Sequence, residues 1–393
     1  MRKNMFIEED CTFCGACLAE CPFLEMSLED AREEIARLIR TREPGDMSRD
    51  CAGCFYCDVV CPVEANPSHL MREVRSAKAR GKGASCLSLM TEEVPCNIMS
   101  VGLEFETEEK ARDLNAYTNP APAREVFYLG CSLSYIFTDL AKTKLLERLP
   151  KVGGMKYCCG LDVYALFGEE EARIKGRRLL DALRKTGIER MVTFCPGCDD
   201  MISQVYPKLI PEFDIETLTI AEYLVQQHQK GEIRFTNPIN RRVTFHDPCA
   251  WRMMATDVHD SPRRLLELMG AEVVEMKHNR RESLCCGTPV AGRNPQLTSA
   301  ISARRVSEAR ETGAEAIVVS CTGCLSLSAQ AREQDIEVYN ITELAQMAIG
   351  EQPPHRVAEI SRQLRSDIVK KVVEHPELLR ERYVIRDGKV DRV

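Results

Sequence analysis

The sequence predicts a multidomain protein in which an all-α N-terminal domain is followed by two homologous α/β lobes, each built on a parallel sheet. Three observations lead to this prediction. Twenty of the 393 residues are cysteines, and they occur in close groups. The first two groups flank a segment with helical spacing of apolar residues. From residue 123 onward the chain repeats itself, and each copy alternates strand-like and helical segments.

Composition and charge exclude several classes of protein. The chain is 44% hydrophobic and 29% charged, with a formal net charge of −7 and no basic block suited to nucleic acid. No apolar run approaches the roughly 18 residues of a membrane span. Residues 1–4 lead directly into acidic residues and cysteines, so we expect no signal peptide. We therefore predict a cytoplasmic protein whose cysteines bind metal or carry out redox chemistry, with any membrane contact made through a partner.

Two identical cysteine runs lie within residues 1–82, the predicted first domain. Each has the spacing C-x2-C-x2-C-x3-C-P, the bacterial ferredoxin run, in which three thiolates hold one [4Fe–4S] cubane and the fourth reaches the other cluster. We predict one cubane on Cys11, Cys14, Cys17 and Cys61. We predict the second on Cys51, Cys54, Cys57 and Cys21. Structural zinc takes four ligands in two separated pairs and does not explain the tight triplets.

A helix is predicted between the two runs. Ser27 can cap it, and residues 31–40 carry apolar positions at helical spacing. This helical insert is longer than that of a minimal ferredoxin, and the domain resembles the all-helical ferredoxin domain of fumarate reductase and heterodisulfide reductase subunits. Residues 83–122 are predicted to form a connector broken by glycine and proline. Its two cysteines, Cys86 and Cys96, are expected to be small buried apolar residues.

The internal repeat predicts two lobes, at residues 123–240 and 241–352. Strand-like segments match between the copies: 125–131 with 242–249, 192–198 with 318–324, and 215–222 with 336–343. At the last cysteine pair the second copy trails the first by 126 residues. Strands separated by helices favour a parallel sheet in each lobe. The tail, 353–393, contains an Asp-Gly turn that predicts a small hairpin, either a docking arm for a partner or a packed end.

Each lobe supplies five cysteines: one alone, two adjacent, and a final Cys-x-x-Cys pair. Those of the first lobe are Cys131, Cys158, Cys159, Cys195 and Cys198. Those of the second lobe are Cys249, Cys285, Cys286, Cys321 and Cys324. Five ligands suit neither a cubane nor a tetrahedral zinc site. Adjacent side chains are expected to diverge, so each adjacent pair would serve two irons of a larger, opened cluster. The glycine after each pair permits close approach of the backbone.

This pattern is similar to the cysteine-rich CCG domains of heterodisulfide reductase, and the resemblance covers residues 5–350. It implies a non-cubane [4Fe–4S] cluster in each lobe, held by that lobe's five cysteines, so that all ten would take part in catalysis. It further implies that the two clusters face one another and reduce a disulfide held between them. The chain resembles the membrane-linked form, in which the ferredoxin domain and both CCG domains are fused. Related subunits of glycerol-3-phosphate, glycolate and lactate oxidation share the layout, often with an incomplete set of five cysteines.

Two further features near the predicted ligands have open interpretations. His246 precedes Cys249 in the sequence His-Asp-Pro-Cys. It could deliver a proton to a released thiolate, or it could hydrogen-bond to order the cysteine loop. Four arginines near the second lobe's cysteines could attract an anionic substrate or could simply be solvated; they are Arg241, Arg242, Arg280 and Arg281.

Two functions are compatible with these sites. The first is catalysis, in which electrons from a partner cross the cubanes to the non-cubane clusters and cleave a disulfide substrate. The second is a relay between a flavoprotein or electron-bifurcating partner and a quinone-linked subunit, membrane cytochrome or low-potential reductase. A free-standing iron–sulfur sensor is a third class, and no DNA-binding segment supports it. The chain contains no G-x-G-x-x-G fingerprint after a strand, so flavin and nicotinamide are expected on other subunits.

Overall fold

The computed structural model describes residues 5–43, 45, 50–94, 97, 99–100, 108–254 and 258–393. Its architecture confirms the predicted fold class, because a helical N-terminal region precedes two four-stranded parallel sheets. A small three-stranded antiparallel sheet joins the connector to the tail. The domain boundaries drawn from the sequence stay predictions.

Four helices form the described part of the N-terminal region: α1 Ala16–Ala19, α2 Leu28–Thr41, α3 Tyr56–Val59 and α4 Pro67–Lys82. The predicted cap of α2 is confirmed, because the Ser27 hydroxyl accepts a hydrogen bond from the backbone N–H of Asp30 at 3.1 Å. Ile35 and Leu38 are buried on one face of α2, in the same core as Leu70 of α4. This apolar core gives the cysteine loops a fixed support.

The first lobe is a parallel sheet with the strand order β3-β2-β4-β5. Its strands are β2 Glu125–Gly130, β3 Lys151–Gly153, β4 Arg190–Thr193 and β5 Glu216–Thr219. Its helices are α6 Ser132–Tyr135, α7 Leu161–Phe167, α8 Glu169–Lys185, α9 Pro196–Asp200, α10 Tyr206–Leu209 and α11 Ile220–Gln229, with a π-helical turn at Met201–Val205. Five of the six residues of β2 are buried, as expected for a central parallel strand covered on both faces.

The second lobe repeats this topology in the order β7-β6-β8-β9. Its strands are β6 Arg242–His246, β7 Glu272–Val273, β8 Ala316–Val319 and β9 Glu337–Asn340. Its helices are α12 Asp260–Leu268, α13 Pro295–Glu311, α14 Ser328–Glu333 and α15 Ile341–Ala348. The shared strand order confirms the internal duplication. The edge strands β3 and β7 were not predicted, because three and two residues are too few to show an apolar pattern.

The two lobes pack directly on one another. Helix α11 of the first lobe lies against helix α12 of the second. One continuous apolar core contains Phe127 and Leu129 from β2 together with Val243 and Phe245 from β6. The lobes are therefore fixed relative to each other by buried apolar surface.

The tail is a packed end and not a free arm. After helix α16, Val357–Glu374, strands β10 Arg382–Arg386 and β11 Lys389–Arg392 form the predicted hairpin around Asp387 and Gly388. Strand β10 also pairs with β1, Ala84–Ser85, in the connector. The connector contains an additional helix, α5 Glu108–Thr118, that was not predicted. No helix formed by the described residues is long and apolar enough to cross a bilayer.

Candidate metal centres

The structure brings Cys11, Cys14, Cys17 and Cys61 together around one hollow, which all four side chains line. Burial, followed by the proximity of the other three sulfurs, raises the pKa of the Cys17 thiol to about 12. A thiolate in this position therefore needs a nearby cation to balance its charge, and iron meets that need. The fourth cysteine comes from the second run, as the ferredoxin spacing predicts.

The second quartet shows the reciprocal arrangement. Cys21, from the first run, lies beside Cys51, and burial raises its pKa to about 11. Burial also raises the pKa of Cys54 to about 12 and that of Cys57 well above its usual value. Cys57 is near enough to Cys17 of the first quartet to interact with it electrostatically, so the two quartets are neighbours.

Left-handed backbone conformations wrap each triplet of cysteines. Phe13 and Gly15 have φ of +56° and +78°, and the matching positions in the second run, Gly53 and Phe55, have φ of +63° and +62°. Each run thus places one glycine and one phenylalanine in this region, with their order exchanged. A phenylalanine with positive φ is strained, and such strain persists only where the surroundings impose it. The coil that gathers the thiols is the feature that imposes it.

The five cysteines of the first lobe converge, and Cys158, Cys159 and Cys198 among them are buried. The thiol of Cys131 interacts with Cys158, which interacts with its neighbour Cys159, followed by Cys198 and then Cys195. The loops bearing these residues follow strands β2, β3 and β4, whose carboxyl ends lie at one edge of the parallel sheet. Five soft donors at one point suit an iron–sulfur cluster better than a four-ligand zinc site.

The second lobe has the same arrangement in the same order. Cys249 interacts with Cys285, then come Cys286, Cys324 and Cys321. The adjacent cysteines do not diverge as the sequence suggested, since each pair also interacts within itself. Each pair is followed by a glycine with positive φ, Gly160 at +72° and Gly287 at +87°, which turns the backbone directly after the two cysteines.

A hydrogen bond joins the ligand loops of the two lobes. The indole Nε1 of Trp251, two residues after Cys249, donates to Oδ2 of Asp199 at 3.1 Å. Asp199 follows Cys198 directly, and it also accepts a hydrogen bond from the hydroxyl of Thr193. Burial raises the pKa of Asp199 to about 7. The indole thus stabilises a carboxyl group that is almost entirely removed from water.

The second N-terminal quartet rests against the second lobe. Arg252 is 1% exposed, and its guanidinium donates one hydrogen bond to the carbonyl of Cys54 and another to that of Arg281, the latter at 2.8 Å. Arg293 donates to the carbonyl of Cys51 at 2.7 Å. Cys54 is also within electrostatic range of Cys249. This quartet and the second lobe's five cysteines are therefore adjacent groups of cysteine sulfurs.

His246 is buried and hydrogen-bonded within the second lobe. Its Nδ1 accepts from Nε of Arg305 at 2.9 Å, and one ring nitrogen lies within 4.8 Å of the sulfurs of Cys286 and Cys324. Burial lowers the pKa of His246, and the charge of Arg305 lowers it further, so the ring is neutral near pH 7. These contacts favour the ordering role over proton delivery.

The neighbouring Asp247 is held in a buried ion-pair network. Its carboxylate accepts from Arg263 at 2.8 and 2.9 Å and from Nδ1 of His259 at 2.8 Å. Although burial raises the pKa of Asp247, these bonds hold it well below its usual value. The backbone N–H of Arg280 donates to the same carboxylate at 2.7 Å. The loop before Cys249 is thereby tied to the segment before Cys285.

The arginine pairs considered as substrate anchors behave as surface residues. Arg241 pairs with Glu337 at 2.6 Å, and Arg242 lies 3.3 Å from Glu272. Arg280 lies 3.1 Å from Asp260, and Arg281 is exposed. Cys86, by contrast, is fully buried in the apolar core beside the tail, as predicted. Cys96 lies outside the described residues.

Comparisons with known proteins place the cysteine-bearing segments in known domain families. The profile of the cysteine-rich domain termed CCG matches residues 126–203 and 243–327, and that of the 4Fe-4S dicluster domain matches residues 3–62. A protein of Methanosarcina barkeri, named as one of the subunits of dihydromethanophenazine:CoB–CoM heterodisulfide reductase, is 30% identical over 321 residues, which are 76% of this chain and 77% of that protein. The chain belongs to this family of heterodisulfide reductase subunits. It is an iron–sulfur oxidoreductase.

Other relatives of this chain are named after different oxidoreductases. A subunit of the fumarate reductase (CoM/CoB) of Methanothermobacter marburgensis is 26% identical over 87% of this chain and 72% of its own length. The EtfAB:quinone oxidoreductase of Syntrophomonas wolfei is 22% identical over 85% of this chain but only 45% of its own length. Among solved structures, a hypothetical protein from Helicobacter pylori matches with a TM-score of 0.51 and 12% identity, covering 83% of this chain and 66% of that one, and this likeness concerns the fold alone.

The sequence of this heterodisulfide reductase relative predicts which cysteines gather together, but it does not predict the buried residues beside them. Arg252, Arg305, Trp251 and Asp199 are all nearly fully buried beside predicted ligands. Arg305 bonds to a histidine 59 residues away, and Trp251 to a carboxylate 52 residues away. No local pattern reports such distant pairs, although the single tryptophan of the chain, so close to a predicted ligand, was an available signal.

Proposed function

We propose that this chain is the electron-transferring and catalytic subunit of a disulfide reductase, with two cubane [4Fe–4S] clusters and two non-cubane [4Fe–4S] clusters. The observation that carries the proposal is the convergence of five thiols, three of them buried, in each of two lobes with the same order of interactions. A lobe that had become a passive docking element would be free to lose ligands. Both lobes of this chain keep all five.

The cysteines would hold the clusters in the four groups given above. Such clusters, when bound, accept and pass on single electrons. The surrounding side chains hold the thiols in place and exclude water from them. In the first lobe, Tyr128, Tyr157 and Tyr206 are buried around the thiols. In the second lobe Trp251 and Arg252, which follow Cys249 closely in the chain, are buried. Low exposure protects a reactive sulfur from water and from competing oxidants.

The contacts between the groups of cysteines support one order of electron transfer. The quartet containing Cys57 neighbours the quartet containing Cys17, and Cys54 neighbours Cys249 of the second lobe. Trp251 and Asp199 then connect the ligand loops of the second and first lobes. We infer the sequence first quartet, second quartet, second lobe, first lobe. The electron donor would be a flavoprotein or a membrane cytochrome or quinone-linked subunit that docks on the N-terminal region.

The alternative function is a relay that carries electrons without reducing a disulfide. The relative named EtfAB:quinone oxidoreductase supports this alternative, because it matches 85% of the present chain. In that case the lobes would pass electrons between a flavin-dependent partner and a quinone-linked or low-potential reductase. The two functions share the cofactors and differ only in the final acceptor.

The discriminating experiment supplies reduced methyl viologen to the anaerobically purified protein and offers a panel of disulfides, including the coenzyme M–coenzyme B heterodisulfide. Four four-iron clusters would give about 16 irons per chain. We expect disulfide-dependent oxidation of the dye by such a preparation. We expect Cys285→Ala to abolish it and Cys86→Ser to retain it, because Cys86 is buried among apolar residues away from the four groups.

Failure has two distinguishable forms. A preparation with about 16 irons that turns over no disulfide would favour the relay, which transfer of electrons to a quinone analogue would then establish. A preparation with about eight irons would mean that the lobes hold no clusters, and both the catalytic role and the assigned ligands in the lobes would be wrong.

A further inference from the structure

The two lobes differ at one position beside their cysteines. Tyr128 on β2 is in register with Thr193, and His246 on β6 is in register with Val319. Cys195 and Cys321 each follow two residues later. Tyr128 and His246 are therefore structural counterparts, one in each copy of the duplicated fold.

A second difference lies on the helix that covers this position. Arg305 on α13 is 126 residues after Leu179 on α8, the same offset that separates Cys324 from Cys198. Both side chains are fully buried. The first lobe thus has a tyrosine and a leucine where the second lobe has a histidine and an arginine. Burying an arginine is costly unless it is bonded throughout, so its presence calls for an explanation.

Arg305 fixes the tautomer of His246. Its Nε donates to Nδ1 of the imidazole at 2.9 Å, and its two terminal nitrogens bond to Glu308 at 2.8 Å, the carbonyl of His278 at 2.9 Å and the hydroxyl of Ser283 at 3.1 Å. A guanidinium in a protein is always protonated and can only donate. The Nδ1 atom must therefore accept, and in the neutral ring the proton is on Nε2.

The Nε2–H group points to the sulfur ligands. A ring nitrogen of His246 lies within 4.8 Å of the sulfurs of both Cys286 and Cys324, and Nδ1 is already occupied by Arg305. Among the residues that the structure describes, Nε2 has no oxygen or nitrogen partner, and it is buried. A buried donor of this kind is expected to be satisfied, and the sulfurs are the acceptors within reach.

In the first lobe, the counterpart of His246 is Tyr128, whose hydroxyl does not bond to a cysteine sulfur. The hydroxyl of Tyr128 donates to the backbone carbonyl of Tyr157, and Leu179 has no donor. Tyr206 likewise donates to a backbone carbonyl, that of Cys159. The sulfurs of the first lobe therefore receive no counterpart of the imidazole N–H from these positions.

We propose that His246, held by Arg305, donates a hydrogen bond to a ligand sulfur of the second lobe and makes that lobe's cluster the more easily reduced of the pair. This inference rests on the proposed function, since it requires clusters in both lobes. Hydrogen bonds to sulfur ligands stabilise the reduced, more negative state and raise the potential. One electron from the donor would enter the second lobe's cluster, and the proton would stay on Nε2 of His246. The second lobe, which lies beside the second N-terminal quartet, is thereby the first acceptor, and His246 is a positioning residue that tunes it.

The test is a redox titration of the full-length chain, reduced stepwise with dithionite through viologen mediators and followed by EPR. A Cys158→Ala background removes the first lobe's cluster, so the remaining lobe signal belongs to the second lobe. Adding His246→Phe keeps an aromatic ring and removes the donor. We expect the second lobe to become at least tenfold harder to reduce, which corresponds to about 59 mV for one electron. His246→Gln can accept from Arg305 and donate to sulfur, so we expect it to restore most of the potential.

Tyr128→Phe, tested without the background change, is the matched control, because it removes a hydroxyl that bonds to a carbonyl and not to sulfur. We expect it to leave both lobe signals unchanged. If His246→Phe does not fold, Arg305→Gln removes the charge behind the imidazole and should shift the same signal in the same direction. An unchanged second-lobe potential in the variant that folds, or equal shifts from His246→Phe and Tyr128→Phe, would overturn the inference. About eight irons on the wild-type chain would instead overturn the proposed function, and this inference with it.

Discussion

Trp251 of the second lobe donates its indole N–H to the carboxyl group of Asp199 in the first lobe, at 3.1 Å, and both residues lie within two positions of a predicted cluster ligand. The bond crosses the interface at the point where the two groups of five cysteines are connected. Asp199 is 2% exposed, so loss of this donor leaves a buried acceptor that, among the described residues, keeps Thr193 as its side-chain partner. The orientation of the two ligand loops thus depends on a pair that neither lobe forms alone.

Trp251→Phe is expected to lower the free energy of unfolding by about 1–3 kcal/mol, the cost of leaving one buried polar group unsatisfied. Asp199→Asn is the matched control, because its amide oxygen can still accept from the indole. Anaerobic denaturant titration of both variants measures the difference. Equal stability of Trp251→Phe and the wild type would show that the bond does not hold the lobes.

Breaking the buried ion pair between Asp247 and Arg263 is expected to lower the stability of the protein by a larger amount. Arg263 binds it through two nitrogens, both side chains are nearly inaccessible, and Arg263 also pairs with Glu275 at 2.5 Å. Removing one partner of a buried ion pair costs about 3–5 kcal/mol, because the other charge remains buried. We therefore expect Arg263→Leu to lower the thermal midpoint strongly.

Arg264→Leu is the control for that variant. Arg264 is the next residue on helix α12, and it pairs with Glu267 at 3.3 Å with 58% of its side chain exposed. Exposed pairs contribute about 0–1 kcal/mol, so its thermal midpoint should stay close to that of the wild type. Similar losses in the two variants would mean that the buried network has no special role.

The sequence was sufficient to predict which cysteines gather together and insufficient to predict the residues that surround them. The spacing of each cysteine run encodes a local coil, and a local coil can be read from adjacent residues. The cap at Ser27 was predictable for the same reason. Strand β7 has only two residues, and its pairing with β6 is a long-range contact. The adjacent cysteines were expected to diverge, and the structure instead places the two side chains of each pair close enough to interact.

The sequence could not predict which charged side chains are buried, for a further physical reason. An arginine in a helix is normally solvated, and Arg305 differs from Arg304 only in the direction in which it points. That direction depends on how α13 packs on β6, where His246 and Glu308 happen to satisfy the guanidinium. Tertiary packing therefore decides which arginine becomes part of the site.

The pair His355–Glu343 predicts a pH dependence of stability away from the clusters. Nδ1 of His355 lies 3.1 Å from Glu343, a nearly buried carboxylate, and this hydrogen bond raises the pKa of His355. A raised pKa in the folded state means that the contribution is complete below the ordinary value of about 6.5 and is lost as the pH rises through the folded value. We expect the thermal midpoint to fall from pH 6 to pH 8 by more in the wild type than in His355→Gln.

The size of that difference should be modest and sensitive to salt, because 36% of the His355 side chain is exposed. His375→Gln is the control, since His375 makes a similar contact with Glu377 at 3.1 Å on the open surface. Identical pH profiles for the wild type and His355→Gln would contradict the prediction.

Arg252 offers a test of the contact between the N-terminal region and the second lobe. Its guanidinium is buried, donates to the carbonyls of Cys54 and Arg281, and lies 5.4 Å from the ring of Tyr56. Arg252→Met keeps most of the apolar stem and removes the donors. We expect faster amide hydrogen exchange in residues 50–60, because their attachment to the lobe is weakened, while exchange within α2 is unchanged.

Arg310→Met on the partly exposed end of α13 is the control. Equal exchange in residues 50–60 for the wild type and Arg252→Met would mean that apolar packing alone seats the second quartet on the lobe, and the inferred path from Cys54 to Cys249 would then tolerate loss of this side chain.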